Sequence, residues 1–283
     1  MRLRRRALKN GLSVTAFACF EVFIRERLDE LLVELTKCPT LPDFDQLPEA
    51  LQMAATKGVV DALRFQLNQR RENLDTQTVV ALSQRHAGMI ASTAGRPFEL
   101  SDWSFGWASS NVGPGVLVDF LNALKAPKLY SEIPKVLQDV DFDYAAAGLA
   151  DGNKFALARL GGWRHAAAHD ATASVDLALL RTRITSYLSV AFAFDLLASF
   201  AMRVLVDEFS GYGEVAPDRN CLLLRQFVPV VPAFELQDIS GGRLQSYYAW
   251  AQCRADIGEL PTPLTGAVFE RDVQGQIVDW FFH

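Results

Sequence analysis

Arg164, His165 and His169 stand close together in the run WRHAAAHD, a permanent cation and two imidazoles separated by three alanines. A guanidinium can hold a phosphodiester and neutralise charge that develops on its oxygens. Imidazole, as a chemical group, ionises close to neutrality and can accept or donate a proton there. Together these groups are the minimum equipment for cutting RNA without a metal ion. Their spacing sets a condition, because a helix turns about 100° per residue and so puts Arg164 and His169 about 140° apart. His165 and His169, at i and i+4, share a face. Two routes bring the arginine and the histidines together. Either the long guanidinium reaches around the start of the helix, or two copies of the motif meet across a two-fold axis. Ala166, Ala167 and Ala168 would permit that close approach, and Gly161 and Gly162 would let the chain bend into it.

The same residues have a structural reading, in which Arg164 pairs with Asp170 or Asp176 and the histidines are partly buried. Metal binding by His165, His169 and Asp170 is a further option, since imidazoles at i and i+4 can chelate zinc, but no third and fourth ligand stands nearby. We therefore expect no metal and no cofactor. His86, in SQRHAG, reads as an ordinary surface or core histidine within a helix. Arg2, Arg4, Arg5, Arg6 and Lys9 form a basic opening that could clamp phosphates but reads first as a frayed terminus. Trp103, Phe105 and Trp107 could stack on unpaired bases, although packing across a bundle is the commoner fate of such residues. Arg70 and Arg71 read as a solvated helix end.

The chain has 283 residues, half of them apolar and 22% charged, which is the composition of a folded protein able to bury a large core. A net charge of −5 gives no global attraction for nucleic acid, so any RNA contact must be local. Cys19, Cys38, Cys221 and Cys253 form no CxxC pair and read as reduced, mostly buried thiols of a cytosolic protein. The opening MRLRRRALKN resembles a signal leader, but Glu21, Arg25, Glu26 and Arg27 interrupt the apolar stretch behind it. The second apolar run, Tyr187 to Met202, is short and holds Asp195 at its middle, where a bilayer would penalise a charge by about 3 kcal/mol. We expect a helix buried in a core or a subunit interface there, no membrane span, and a cytoplasmic protein.

The elements that must position the motif follow from periodicity. Phe17, Phe20, Ile24, Leu28, Leu31, Leu32 and Leu35 recur at three- and four-residue spacing and predict a helix from Ser13, as N-cap, to Lys37. Further helices are expected over 49–69, after Pro48, and over 76–90. A loop is expected over 95–115, then a short helix over 115–124 and a linker containing Pro127 and Pro134. A helix or helix-turn over 144–163 follows, and a long helix from Ser174 or Val175 to Glu208. Beyond Gly211 the runs 222–231, 244–253, 266–270 and 276–282 read as strands of a small antiparallel sheet, with turns at Gly241-Gly242 and Gln274-Gly275. Pro229 and Pro232 limit the first strand. The expected architecture is mainly α: a helical bundle over residues 1–210 and a small β-rich C-terminal segment over 211–283.

RHAAAH resembles the arginine-polar-x-x-x-histidine signature of the HEPN superfamily. FACFEVFIRERLDELL is similar to the opening helix of its RiboL-PSP type, and FGWASSNVGPGVLVDFLNAL to the loop-and-helix insertion of that type. The likeness covers roughly residues 10–208. It implies a HEPN-type bundle and a metal-independent endoribonuclease, often a toxin of a toxin–antitoxin pair or an antiviral effector, working as a homodimer on RNA. Carried onto this chain, it makes Arg164, His165 and His169 catalytic, with Arg164 and Asp170 holding substrate. Arg164 would bind the scissile phosphate, His169 would move the proton as base or acid, and His165 would orient the pair or hold the phosphate. The alternative within the same resemblance is a catalytically silent HEPN module that binds RNA or a protein partner.

Overall fold

The computed structural model describes residues 2–36, 41–69, 75–95, 97–101, 103–104, 114–124, 129–140, 162, 164–169, 177–207, 222–230, 233–238, 243–258 and 265–282. Among them the protein is mainly helical, with a five-stranded sheet at its C-terminal end. The chain divides into two compact units: Met1–Phe20, Ser131–Phe200 and Pro217–His283 form the first, and Glu21–Tyr130 with Ala201–Ala216 form the second.

Helix α1 (Arg2–Thr36) buries every residue of the apolar stripe read from the sequence, from Phe17 to Leu35. It begins eleven residues before the expected cap, at Arg2, so the basic opening is helical rather than frayed. Ser13 is buried inside the helix instead of capping it.

The second unit holds α2 (Glu49–Met53), a π-helical turn (Ala54–Gly58) and α3 (Val59–Gln69), which together fill the single helix expected over 49–69. Helix α4 (Thr76–Ser92) packs on α3, and α5 (Pro114–Ala123) packs on α2. Asp75 caps α4 by accepting from the Thr78 amide at 2.7 Å, and this bond holds its carboxyl below the usual range. Gly58 lies so close to the Ser104 carbonyl that a Cβ there would stand 2.6 Å from its oxygen. That approach requires glycine.

In the first unit, Pro134 lies inside helix α6 (Leu129–Asp139) rather than in a linker. Proline removes an amide hydrogen bond and strains the preceding turn, but Ile133, Val136, Leu137 and Val140 bury one face of that segment and outweigh the loss. The helix or helix-turn expected over 144–163 lies outside the described residues, apart from Gly162. Helix α7 (Leu177–Asp207) is buried along most of its length after Leu180. Its Tyr187 ring meets Phe17 and Phe20 of α1 at 5.8 and 5.7 Å.

The sheet has the order β3-β2-β1-β4-β5, with β1 (Leu222–Val230), β2 (Ala233–Asp238), β3 (Arg243–Tyr247), β4 (Thr265–Arg271) and β5 (Ile277–Phe282). It is mixed, not antiparallel, because β1 and β4 run parallel in the register Leu222↔Thr265 to Phe227↔Glu270. Pro229 lies within β1, beyond its last pairing with β4, where the strand has β2 alone as a neighbour. The strand expected over 244–253 divides into β3 and a helix, α8 (Trp250–Gly258). Phe227, Leu236, Tyr247, Cys253, Val268 and Phe281 form a core beneath α8, with Phe234 and Trp250 packed against it. The other face meets α7, where Phe192 contacts Phe269 at 5.4 Å and Trp280 at 5.6 Å. The Arg271 guanidinium ties three places together, donating to Gln226 Oε1, to the Gly275 carbonyl in the β4–β5 turn and to the Val140 carbonyl after α6. Gly275 takes a φ of +78°, as the expected Gln274-Gly275 turn requires.

Among the described residues two helical windows, Ala7–Thr36 and Leu177–Met202, are long and apolar enough to cross a membrane by length and composition, and most of the second is buried within the protein.

Candidate functional site

Residues 164–169 form a helical turn in the first unit. Ala167 is buried and Arg164, three positions earlier and so on the same side, is half-buried. His165 and His169 are exposed, with ring centroids 4.7 Å apart and planes tilted by 48°. The i, i+4 spacing therefore does what the sequence required of it, bringing two imidazoles side by side on a solvent-facing surface. Arg164 stands about 100° round the turn from His165 and about 140° from His169. Within one copy the structure brings the rings of His165 and His169 together. Asp170, the other expected substrate contact, lies outside the described residues, as do Gly161, Trp163 and Asp176. No group of three or more His, Cys, Asp or Glu side chains able to hold a metal ion occurs among the described residues.

The other candidates resolve differently. His86 is buried in α4, where its Nδ1 shares a 2.9 Å hydrogen bond with Ser101 Oγ and its ring stacks on Trp103 at 3.8 Å. Ser101 Oγ also accepts from the Trp103 amide, so one hydroxyl organises the turn that carries the tryptophan. Trp103 is thus a packing residue and His86 a core histidine. Phe105, Trp107, Arg70 and Arg71 lie outside the described residues. Cys253 is buried, and burial pushes its thiol up to about 12, whereas Cys19 is exposed. Cys38 and Cys221 lie outside the described residues.

Two buried polar arrangements and one partly exposed carboxyl pair were not read as sites from the sequence. Arg183, 8% exposed, donates from Nη1 to Ser13 Oγ at 3.2 Å. The signal for it is a cation on the apolar stripe Leu180–Arg183–Tyr187. Burial raises the Tyr187 phenol to about 12, with the Arg183 charge opposing that rise. Asp195, the residue that argued against a membrane span, accepts from Trp280 Nε1 at 2.8 Å and from Ser199 Oγ at 3.3 Å. Glu270 and Asp279 face each other across β4 and β5, and burial followed by the Asp279 charge holds the Glu270 carboxyl above its usual range. Trp250 Nε1 donates to Asp279 at 2.8 Å. The first two arrangements stabilise buried polar atoms by pairing them, and the third sets two carboxyls against each other beside a tryptophan.

No protein-family model, curated protein or solved structure matches this chain.

Proposed function

We propose that the protein is a metal-independent endoribonuclease of HEPN type, acting in the cytoplasm as a toxin or antiviral effector, with Arg164, His165 and His169 as its reactive groups. The observation that carries this reading is the pair of accessible imidazoles 4.7 Å apart on the turn that also holds the guanidinium. The RHAAAH resemblance supports it. In the reaction one imidazole removes the proton of a ribose 2′-OH, whose oxygen then attacks the adjacent phosphorus. The bond from phosphorus to the 5′ oxygen breaks, and that oxygen takes a proton donated by the other imidazole. The products are a 2′,3′-cyclic phosphate and a 5′-OH, and DNA, lacking the 2′-OH, is inert. Arg164 holds a non-bridging oxygen and offsets the charge that grows on it. Because the helical period sets Arg164 about 140° round the turn from His169, the reading favours a homodimer in which each copy completes the other's site. Asp170 is assigned a supporting contact to substrate, and an antitoxin or similar protein is the expected regulator.

The test is cleavage of a labelled RNA by the purified chain in EDTA. His169→Ala and Arg164→Ala should each lower the rate by about 10²–10⁴-fold while circular dichroism stays unchanged. Cleavage by the parent that vanishes with chelator would replace the reading with a metal enzyme. No cleavage of any RNA, together with stable binding of RNA or protein, would replace it with a silent binding module.

A further inference from the structure

We propose that His165 and His169 also form a chelating site for a divalent transition metal such as zinc(II) or copper(II), and that its occupancy switches the turn off. The ligand chemistry is that of two neutral imidazoles on adjacent turns of a helix. An imidazole nitrogen ligates zinc at about 2.0–2.1 Å, which puts its ring centroid about 3.2 Å from the metal. Two such rings in neighbouring coordination positions, about 90–110° apart at the metal, have centroids about 4.5–5.2 Å apart. The observed separation is 4.7 Å. Both rings are exposed, so a cation reaches them from solvent, and the side chains at positions 166 and 168 between them are only alanines. Solvent or a passing anion fills the remaining positions. Imidazole donors select copper and zinc over magnesium and calcium, which prefer oxygen. A bound metal occupies the lone pair that each ring needs to accept a proton. The regulatory half of this inference rests on the ribonuclease reading. The binding half does not.

The experiment uses the full chain carrying Cys19→Ser, Cys38→Ser and Cys221→Ser, which leaves only the buried Cys253 thiol, stripped with EDTA and desalted. Zinc chloride is titrated in competition with a chromophoric zinc indicator. His165→Gln and His169→Gln should each weaken zinc binding by about tenfold or more, copper(II) should displace zinc, and a hundredfold excess of magnesium should not. Both substitutions lie at exposed positions, and unchanged circular dichroism verifies the fold. Equal zinc affinity in the parent and both glutamine variants would overturn the proposal, as would effective competition by magnesium. In the RNA assay, zinc should inhibit cleavage with the midpoint found in the binding titration, and saturating zinc without inhibition would overturn the switch. Zinc binding that depends on both histidines in a protein that never cleaves RNA would sink the ribonuclease reading and leave the metal site standing.

Discussion

Replacing Trp280 with phenylalanine isolates a hydrogen bond that joins the C-terminal sheet to the long helix following the candidate turn. Asp195 is 4% exposed in the middle of α7, and Trp280 Nε1 on β5 donates to its Oδ2 at 2.8 Å. Ser199, one turn along, donates to the other oxygen at a longer 3.3 Å. Phenylalanine keeps a ring against Phe192, which now meets the Trp280 ring edge-on at 5.6 Å, but it carries no N–H. Leaving a buried acceptor without its donor costs about 1–3 kcal/mol. The smaller ring forfeits about 40 Å² of apolar contact at about 25 cal/mol per Å², roughly 1 kcal/mol, and the partial exposure of Trp280 halves that contribution. The expected destabilisation is about 2–3 kcal/mol, with the hydrogen bond as the larger part.

Urea denaturation followed by far-ultraviolet circular dichroism measures it, since removal of a tryptophan changes the fluorescence signal. Asp195→Asn, which keeps a carbonyl acceptor for the indole, should cost less than Trp280→Phe. Asp195→Leu combined with Trp280→Phe closes a double-mutant cycle, and the coupling between the two should exceed about 1 kcal/mol. Coupling below about 0.5 kcal/mol would refute the reasoning, for it would mean that the indole and the carboxyl contribute independently and the bond between helix and sheet is incidental.

Gly58→Ala should destabilise the protein by about 1–2 kcal/mol in the same denaturation assay, because the new Cβ meets the Ser104 carbonyl oxygen at 2.6 Å and the overpacking exceeds the roughly 1 kcal/mol that alanine gains in helix propensity. Stability should be retained below about pH 9 and fall as pH rises from there towards 12, since the unfolded chain releases the Cys253 and Tyr187 protons first while the folded state holds both groups up to about 12. Tyr187→Phe should flatten the upper part of that decline, and an unchanged slope in urea midpoints measured from pH 8 to 11 would remove the assignment.

Local periodicity made some of this legible and tertiary pairing hid the rest. The stripe from Phe17 to Leu35 and the i, i+4 histidine pair both depend on the helical period alone, and both hold. Trp250–Gly258 misled because Tyr247, Tyr248 and Trp250 carry a strand-like composition, whereas Ala249, Ala251, Gln252 and Ala255 favour a helix that buries Trp250 and Cys253 on one side. Ala233–Asp238, which went unread, has no β-branched residue and owes its strand to register with β1 and β3. The parallel pairing of β1 with β4 joins segments far apart in sequence, and no local pattern encodes it. Arg183 and Asp195 were visible as charges on apolar stripes, but their partners, Ser13 and Trp280, come from distant parts of the chain.

The angle of about 140° that the helical period sets between Arg164 and His169 makes the oligomer the decisive variable, and mixing inactive variants reads it directly. Suppose each site takes Arg164 from one copy and His169 from the other. Arg164→Ala and His169→Ala subunits are then each inactive alone, yet a mixed dimer has one site with both groups intact and one with neither. Random reassociation makes half of all dimers mixed, and each of these carries one working site of two, so activity should return to about a quarter of the parent value. If the guanidinium instead swings around its own turn to reach His169, every site in the mixture lacks one group and no activity returns. A mixture that recovers activity must also lose it on dilution below the dimer dissociation constant, as the parent would. Recovery without concentration dependence would contradict the composite site, because nothing but subunit exchange can bring the two intact groups together.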